Sequence, residues 1–162
     1  MSGAPTGTEQ AVTTELRVPS RLGFEKVAMS TAATVAEMMG FSEDRVEDLK
    51  TAVAEACINA IEHGNRLDAS QTVLVILSIA ENTLEVKIVD RGFGTGKKPI
   101  QTPNIDRKMH GEEELRGMGM FLIKSLVDEA EWVSDKRGGS YARLAIHLDR
   151  EKGVSDGASD SN

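Results

Sequence analysis

Residues 55–65 read EACINAIEHGN. Glu55 and Asn59 are four apart, so on a helix they stand one above the other on a single face. The helix is indicated independently: Val46, Leu49, Val53, Ala56, Ala60 and Ile61 recur at helical spacing, from a good N-cap at Ser42 to about His63, with Gly64 ending the run. Ala52 and Ala56 flank the Glu55–Asn59 face, which therefore borders the apolar stripe. Asn is a poor mid-helix residue, and a buried amide without partners costs about 1–3 kcal/mol. Two readings follow. Asn59 is a satisfied structural amide beside a solvated Glu55, or Glu55 is a general base next to an amide oxygen suited to Mg²⁺. Taken alone, the pair favours the first.

Upstream, Thr14 to Pro19 forms a short edge strand that Pro19 stops. Leu22, Val27, Ala28, Ala32, Val35, Ala36 and Met39 then predict a helix over 20–39, closed by Gly40 as its C′ residue. Downstream, Thr72–Ile79 and Thr83–Asp90 read as strands joined by a turn at Glu81-Asn82. Gly117 to Val127 predicts a third helix, followed by a strand over 130–134, a turn over 136–139 and a strand over 140–148. Helix, helix, hairpin, helix, hairpin is the order of a two-layer α/β (α+β) sandwich, not of an all-parallel wound sheet. Between Arg91 and Arg116 neither periodicity is present, and so long a gap reads as a functional lid or a disordered segment.

The chain has 162 residues, enough for one domain. Residues 1–13 are small and polar and are expected to form a disordered arm; 14–149 form the domain, and 150–162 a disordered tail. Only 4% of residues are aromatic, so the core must come from aliphatic side chains and Met. The longest apolar run, Val73 to Leu77, is far too short to cross a bilayer, and the first twenty residues lack a signal-peptide core. A single cysteine, Cys57, excludes an internal disulfide. A cytoplasmic setting without membrane contact is therefore expected. The charge of −7, from 19 basic and 26 acidic residues, disfavours direct nucleic-acid binding. It does not disfavour a nucleotide, because a phosphate site depends on local N–H groups.

Asp90 continues the inward face of Leu84, Val86 and Ile88, where a lone carboxylate needs a donor. An exocyclic amine such as adenine N6 is one such donor; backbone N–H groups of a Gly92–Gly94 turn are another. Gly92-Phe93-Gly94-Thr95-Gly96-Lys97 matches neither G-x-x-x-x-G-K-[ST] nor G-x-G-x-x-G. Arg116-Gly117-Met118-Gly119-Met120 precedes an apolar helix. Free N–H groups at such a start can hold an anion, with Arg116 adding a charged contact; alternatively the start only needs small residues to pack. Ser140 shares the face of Ala142, Leu144 and Ile146, where its hydroxyl bonds a local carbonyl or meets a polar ligand.

Taken in order, Glu55-x3-Asn59, Asp90-x-Gly92-x-Gly94, Gly117-x-Gly119 and Gly139-Ser140 resemble the boxes of the GHKL ATPases. EACINAIEHGN looks like their N box, DRGFG the first glycine box, RGMGM the second and GGS the last. The spelling, in so short a chain, is similar to that of anti-sigma-factor serine kinases of the RsbW and SpoIIAB kind. The resemblance covers about residues 14–149. It implies a Bergerat-type ATP-binding fold, with a mixed, mostly antiparallel sheet and helices on one face. By the same resemblance Asn59 holds Mg²⁺, Asp90 accepts from the adenine amine, and Gly92 and Gly94 let the base approach. Gly117, Met118 and Gly119 cradle the phosphates, Ser140 backs the adenine site, Glu55 is the catalytic base, and Arg116 meets the γ-phosphate or a partner protein. The implied cofactors are ATP and Mg²⁺. The implied activity is that of an anti-sigma factor and serine/threonine protein kinase, often a homodimer, which regulates transcription in a stress response. It phosphorylates an anti-anti-sigma factor and sequesters a sigma factor.

Ser140 departs from the family's more frequent Thr but keeps the hydroxyl. A histidine-kinase catalytic domain is disfavoured, because His63, His110 and His147 all fall within or after the boxes, with none on an upstream helix. An ATP-binding module that never transfers phosphate, and a switch kinase of a signalling assembly that binds no sigma factor, remain as alternatives.

Overall fold

The computed structural model describes residues 11–90, 112–135 and 139–148; of 112–116, 135 and 139 the backbone alone is described. β1 is Val12–Pro19, two residues longer at its start than the sequence pattern indicated. Helix α1, Glu25–Met39, begins five residues after the expected Ser20. The reason is local. Gly23 lies at φ 105°, and the Arg21 and Phe24 N–H groups close turns onto the Pro19 and Arg21 carbonyls. Ser20 itself is buried and used elsewhere. Ala28, Ala32 and Ala36 make a small-residue face on α1 that is fully buried. Gly40 adopts φ 93° and sends its N–H to the Ala36 and Glu37 carbonyls, the left-handed helix end read from the sequence.

Helix α2, Glu43–Asn59, starts at the Ser42 cap, whose Oγ accepts from the Arg45 N–H at 3.3 Å. It does not run unbroken to His63: Ala60–Gly64 form a π-helical turn. β2 (Thr72–Ala80) and β3 (Thr83–Asp90) form the expected hairpin, with Glu81 at φ 53° in its turn. Helix α3 spans Glu112–Leu126, so it starts five residues before the predicted Gly117 and inside the stretch read as aperiodic. Glu112 to Arg116 are strong helix formers, and that propensity outweighs the glycines behind them. β4 (Glu129–Asp135) and β5 (Gly139–His147) complete the fold.

The sheet order is β1-β2-β3-β5-β4, and every pairing among the described strands is antiparallel. This is the α/β sandwich that the element order implied. One sheet face (Val75, Leu77, Leu84, Val86, Ile88, Leu144, Ile146) packs with Leu49, Val53, Ile61 and Ile123 of the helical layer. The other face carries Glu85, Lys87 and Arg143, with Arg143 Nε 2.6 Å from Glu85 Oε2, beside half-buried Leu74, Ile76 and Val89. Among the described residues no helix is long and apolar enough to cross a membrane.

Arg45 ties the helical layer to the sheet. Its Nη1 donates to the Leu126 carbonyl at the end of α3 (3.3 Å), and its Nη2 to Asp128 Oδ2 (2.7 Å). Asp128 Oδ2 also accepts from the His147 N–H of β5 at 2.7 Å. One carboxylate thus fixes where α3 ends relative to α2 and β5.

Two stability predictions follow from these local features. Gly40→Ala meets no atom within 4 Å of the new Cβ, so its cost is backbone strain alone. Denaturant unfolding should show a loss of about 1 kcal/mol, with an unchanged m-value. Cys57 is buried in α2, and burial, reinforced by the Glu25 carboxylate, pushes its thiol up to about 12. The thiol is neutral in both states below about pH 8, so its contribution is constant there. Above that pH the unfolded thiol ionises first, and stability falls as pH rises towards 12. The alkaline limb of a stability–pH curve should therefore be shallower in Cys57→Ala than in the unmodified protein.

Candidate functional site

Glu55 and Asn59 lie one turn apart on α2, and α3 crosses the same place. A Cβ on Gly119 would stand 3.0 Å from Glu55 Oε2 and 3.6 Å from Asn59 Nδ2. The missing side chain lets the α3 backbone lie against these two polar groups. Asn59 Nδ2 is buried and has no hydrogen-bond partner, the one such side-chain atom among the described residues. A stranded donor costs about 1–3 kcal/mol and persists where a ligand satisfies it. The structural-amide reading of Asn59 is therefore not met among the described residues.

After Asn59 the helix widens. The Asn65 N–H reaches the Ala60 carbonyl at 2.8 Å, an i→i+5 bond, and the extra residue advances the chain towards the sheet. Gly64 arrives against the end of β3: a Cβ there would lie 2.7 Å from Asp90 Cβ and closer still to the carboxylate carbon and Oδ2. Gly64 was expected only to terminate a helix. Its function is steric, since no left-handed φ is needed there. Asn65, just beyond, is buried and donates from Nδ2 to Ser20 Oγ (2.7 Å) and to the Thr72 carbonyl (3.1 Å). The π turn is thereby pinned to the ends of β1 and β2.

Asp90 is only 8% exposed, facing inward as the strand period required. Its register partner across β3 and β5 is Ser140, whose Oγ donates to Asp90 Oδ2 at 2.9 Å. Ser140 thus binds a carboxylate and not a local carbonyl. Asn59, Asp90 and Ser140 line one open concavity together with Ile88, Ala142 and Trp132. A buried acceptor at one end, an unsatisfied amide at the other and an apolar lining suit a flat heteroaromatic ring with an exocyclic donor and a polar tail.

The remaining candidates divide. Gly92 and Gly94 lie outside the described residues. Arg116 is on α3, but its side chain is not among those described. Gly117, Met118 and Gly119 do not open a helix. They lie within α3, where their N–H groups have the carbonyls of 113–115 as i−4 partners, and the Met118 side chain is 63% exposed. The expected free N–H cluster is absent at these three residues in this conformation.

Among the described residues no group of three or more His, Cys, Asp or Glu could hold a metal ion. The Asn59 amide offers a single oxygen ligand, which fits a cation that draws most of its ligands from phosphate and water, as Mg²⁺ does. Sequence reasoning overlooked Gly64, Asn65 and Trp132. The first two were visible only as the end of the EHGN string, and the third only as the chain's single tryptophan.

Comparison with known proteins gives a consistent picture. The family described as "Histidine kinase-like ATPase domain" matches residues 18–145. A protein named Serine-protein kinase RsbW from Bacillus thuringiensis (strain Al Hakam) is 29% identical over 147 residues, covering 88% of this chain and 89% of the relative. Its namesake from Bacillus anthracis (strain A0248) is 28% identical over the same coverage. Among solved structures, the RsbU and RsbW domains of a Mycobacterium tuberculosis protein superpose with a TM-score of 0.59 at 17% identity. That match covers 84% of this chain and 32% of the longer one, and it concerns the fold.

The packing of Gly64 on Asp90 is directly testable. Gly64→Ala should destabilise by about 1–3 kcal/mol through overpacking. In an Asp90→Ala background two of the three close contacts are gone, so the cost of Gly64→Ala should fall by at least about 1 kcal/mol. A double-mutant cycle from urea unfolding measures the difference.

Proposed function

The chain belongs to the histidine kinase-like ATPase family, and on that premise we propose that it is an ATP-dependent serine/threonine protein kinase that acts as an anti-sigma factor. Its working unit is the domain of residues 14–149, extended by the first two residues of β1. The observation that carries this reading is the pairing, across one concavity, of the buried Asp90–Ser140 acceptor with the unsatisfied Asn59 amide.

The purine lies over Ile88 and Ala142 and donates its exocyclic amine to Asp90, whose carboxylate Ser140 holds in orientation. Gly64 leaves room for that carboxylate, and Gly92 and Gly94 let the base approach the chain. Asn59 is the protein's ligand to Mg²⁺, which when bound neutralises phosphate charge. Glu55 removes the proton from the acceptor hydroxyl. The hydroxyl oxygen bonds to the γ-phosphorus, the bond from that phosphorus to the β–γ bridging oxygen breaks, and ADP leaves with the electron pair. Arg116 meets the γ-phosphate or the partner protein. For Gly117, Met118 and Gly119 to turn their N–H groups to the phosphates, the first turns of α3 must open. Two glycines in one helix, each costing about 1 kcal/mol relative to Ala, keep that opening inexpensive.

The phosphoacceptor is an anti-anti-sigma protein. Its phosphorylation places about −1.5 to −2 charges in the interface and releases it, and the freed kinase, as a homodimer, holds a sigma factor inactive. The names of the similar Bacillus proteins support the serine-kinase half of this reading.

Incubation with γ-labelled ATP and single-domain anti-anti-sigma candidates from the same genome tests the proposal. Label should appear on a partner serine or threonine. Glu55→Ala should slow transfer by about 10²–10⁴-fold while leaving Mg-ATP affinity within about threefold; Asn59→Ala should weaken Mg-ATP binding itself. Calorimetric binding of ATP with no label on any candidate would indicate a passive nucleotide switch instead.

A further inference from the structure

The sheet register places side chains in rows beneath the helices. Asp90, Ser140 and Ser134 form one row; Ile88, Ala142 and Trp132 form the next. β4 is the edge of the sheet on that side. Its half-buried Trp132 lines the concavity on that side. The indole is held from α3 by Lys124, whose Nζ stands 5.6 Å from the ring centroid, within cation–π range. No other tryptophan exists in the chain.

Resting on the nucleotide reading above, we infer that Trp132 is a specificity-determining residue of the base pocket, closing it to the width of a purine. Asp90 anchors one end of the base from β3, and Trp132 meets the other end from β4, two strands away. With about 4.8 Å per strand spacing and about 6.6 Å along the strands between their rows, their backbones lie about 12 Å apart, and the two side chains narrow that span towards the length of a bicyclic ring. A pyrimidine anchored at Asp90 falls short of the indole. CTP separates the two contacts, since it offers an exocyclic amine to Asp90 but one ring fewer to Trp132.

Three measurements test this. Titration of the unmodified protein with Mg-ATP should change the tryptophan emission with the same dissociation constant that calorimetry reports, and the change should be assignable because the fluorophore is single. Trp132→Ala should weaken Mg-ATP binding about tenfold. The same substitution should move Mg-CTP binding by less than about twofold, so that the preference for ATP shrinks. Trp132→Leu carries the same comparison in a more conservative background, and the emission titration needs no substitution. ATP that binds calorimetrically without altering the emission would overturn the inference. So would ATP and CTP affinities falling by one common factor, which is what a merely structural tryptophan would give. If ATP shows no calorimetric binding to the unmodified protein, the nucleotide reading fails and this inference with it; that outcome is distinct from the other two.

Discussion

A carboxylate that is 8% exposed and lies under a helical layer constrains everything around it. Burying Asp90 without a donor would cost several kcal/mol, and Ser140 Oγ supplies one at 2.9 Å. That bond exists only in one register of β3 on β5, because a one-residue slip of either strand would turn its own side chain to the opposite face and part the pair. The Gly64 contact adds a second condition from above. An ordinary α-helical continuation past Asn59 would change which residue meets Asp90, whereas the i→i+5 turn delivers the one residue without a side chain. Register, π turn and glycine are three solutions to one problem: how to keep a polar acceptor inside and reachable.

The other end of the site depends on where α3 sits. Gly119 brings the α3 backbone against Glu55 and Asn59, and Arg45 fixes the far end of the same helix by binding the Leu126 carbonyl and Asp128. Asp128 in turn accepts from the His147 N–H, so the position of α3 is referred to β5, the strand that also carries Ser140. The two halves of the concavity therefore share β5 as their common reference. An open concavity with an unsatisfied Asn59 amide is compatible with a stable fold because the clasp and the core, not the site, hold the helices in place.

Periodicity made much of this legible. The inward direction of Asp90, the Ser42 cap, the left-handed Gly40 and the β2–β3 hairpin all follow from local rules, and the structure has them. The start of α3 did not, because the pair Gly117 and Gly119 suggested a boundary while Glu112 to Arg116 continued the helix by propensity. Ser20 looked like the first residue of α1, yet a partner 45 positions away, Asn65, binds it. Gly64 read as a helix stop, since nothing in a linear sequence reveals which side chain a glycine will touch. Trp132 belongs to the site only through strand order, with β5 between β3 and β4, and strand order is a tertiary fact.

An acidic chain that binds a polyanion needs its charge arranged, not merely reduced. The sequence carries −7, but on the open sheet face the acidic groups are locally matched. Arg143 Nε lies 2.6 Å from Glu85, its Nη2 lies 3.6 Å from Glu129, and the Glu85 contact pushes the guanidinium even further towards its charged form. These pairs sit across the sheet from the concavity, and exposed charges are screened over about 8 Å at physiological ionic strength. What a phosphate would meet instead is local: an amide nitrogen with no partner among the described residues, and the α3 segment around Gly117 and Gly119, whose backbone N–H groups an opened first turn would free. Net charge is a sum over the whole surface, whereas affinity for a phosphate depends on the few donors within hydrogen-bond reach. The second quantity can favour an anion while the first opposes it.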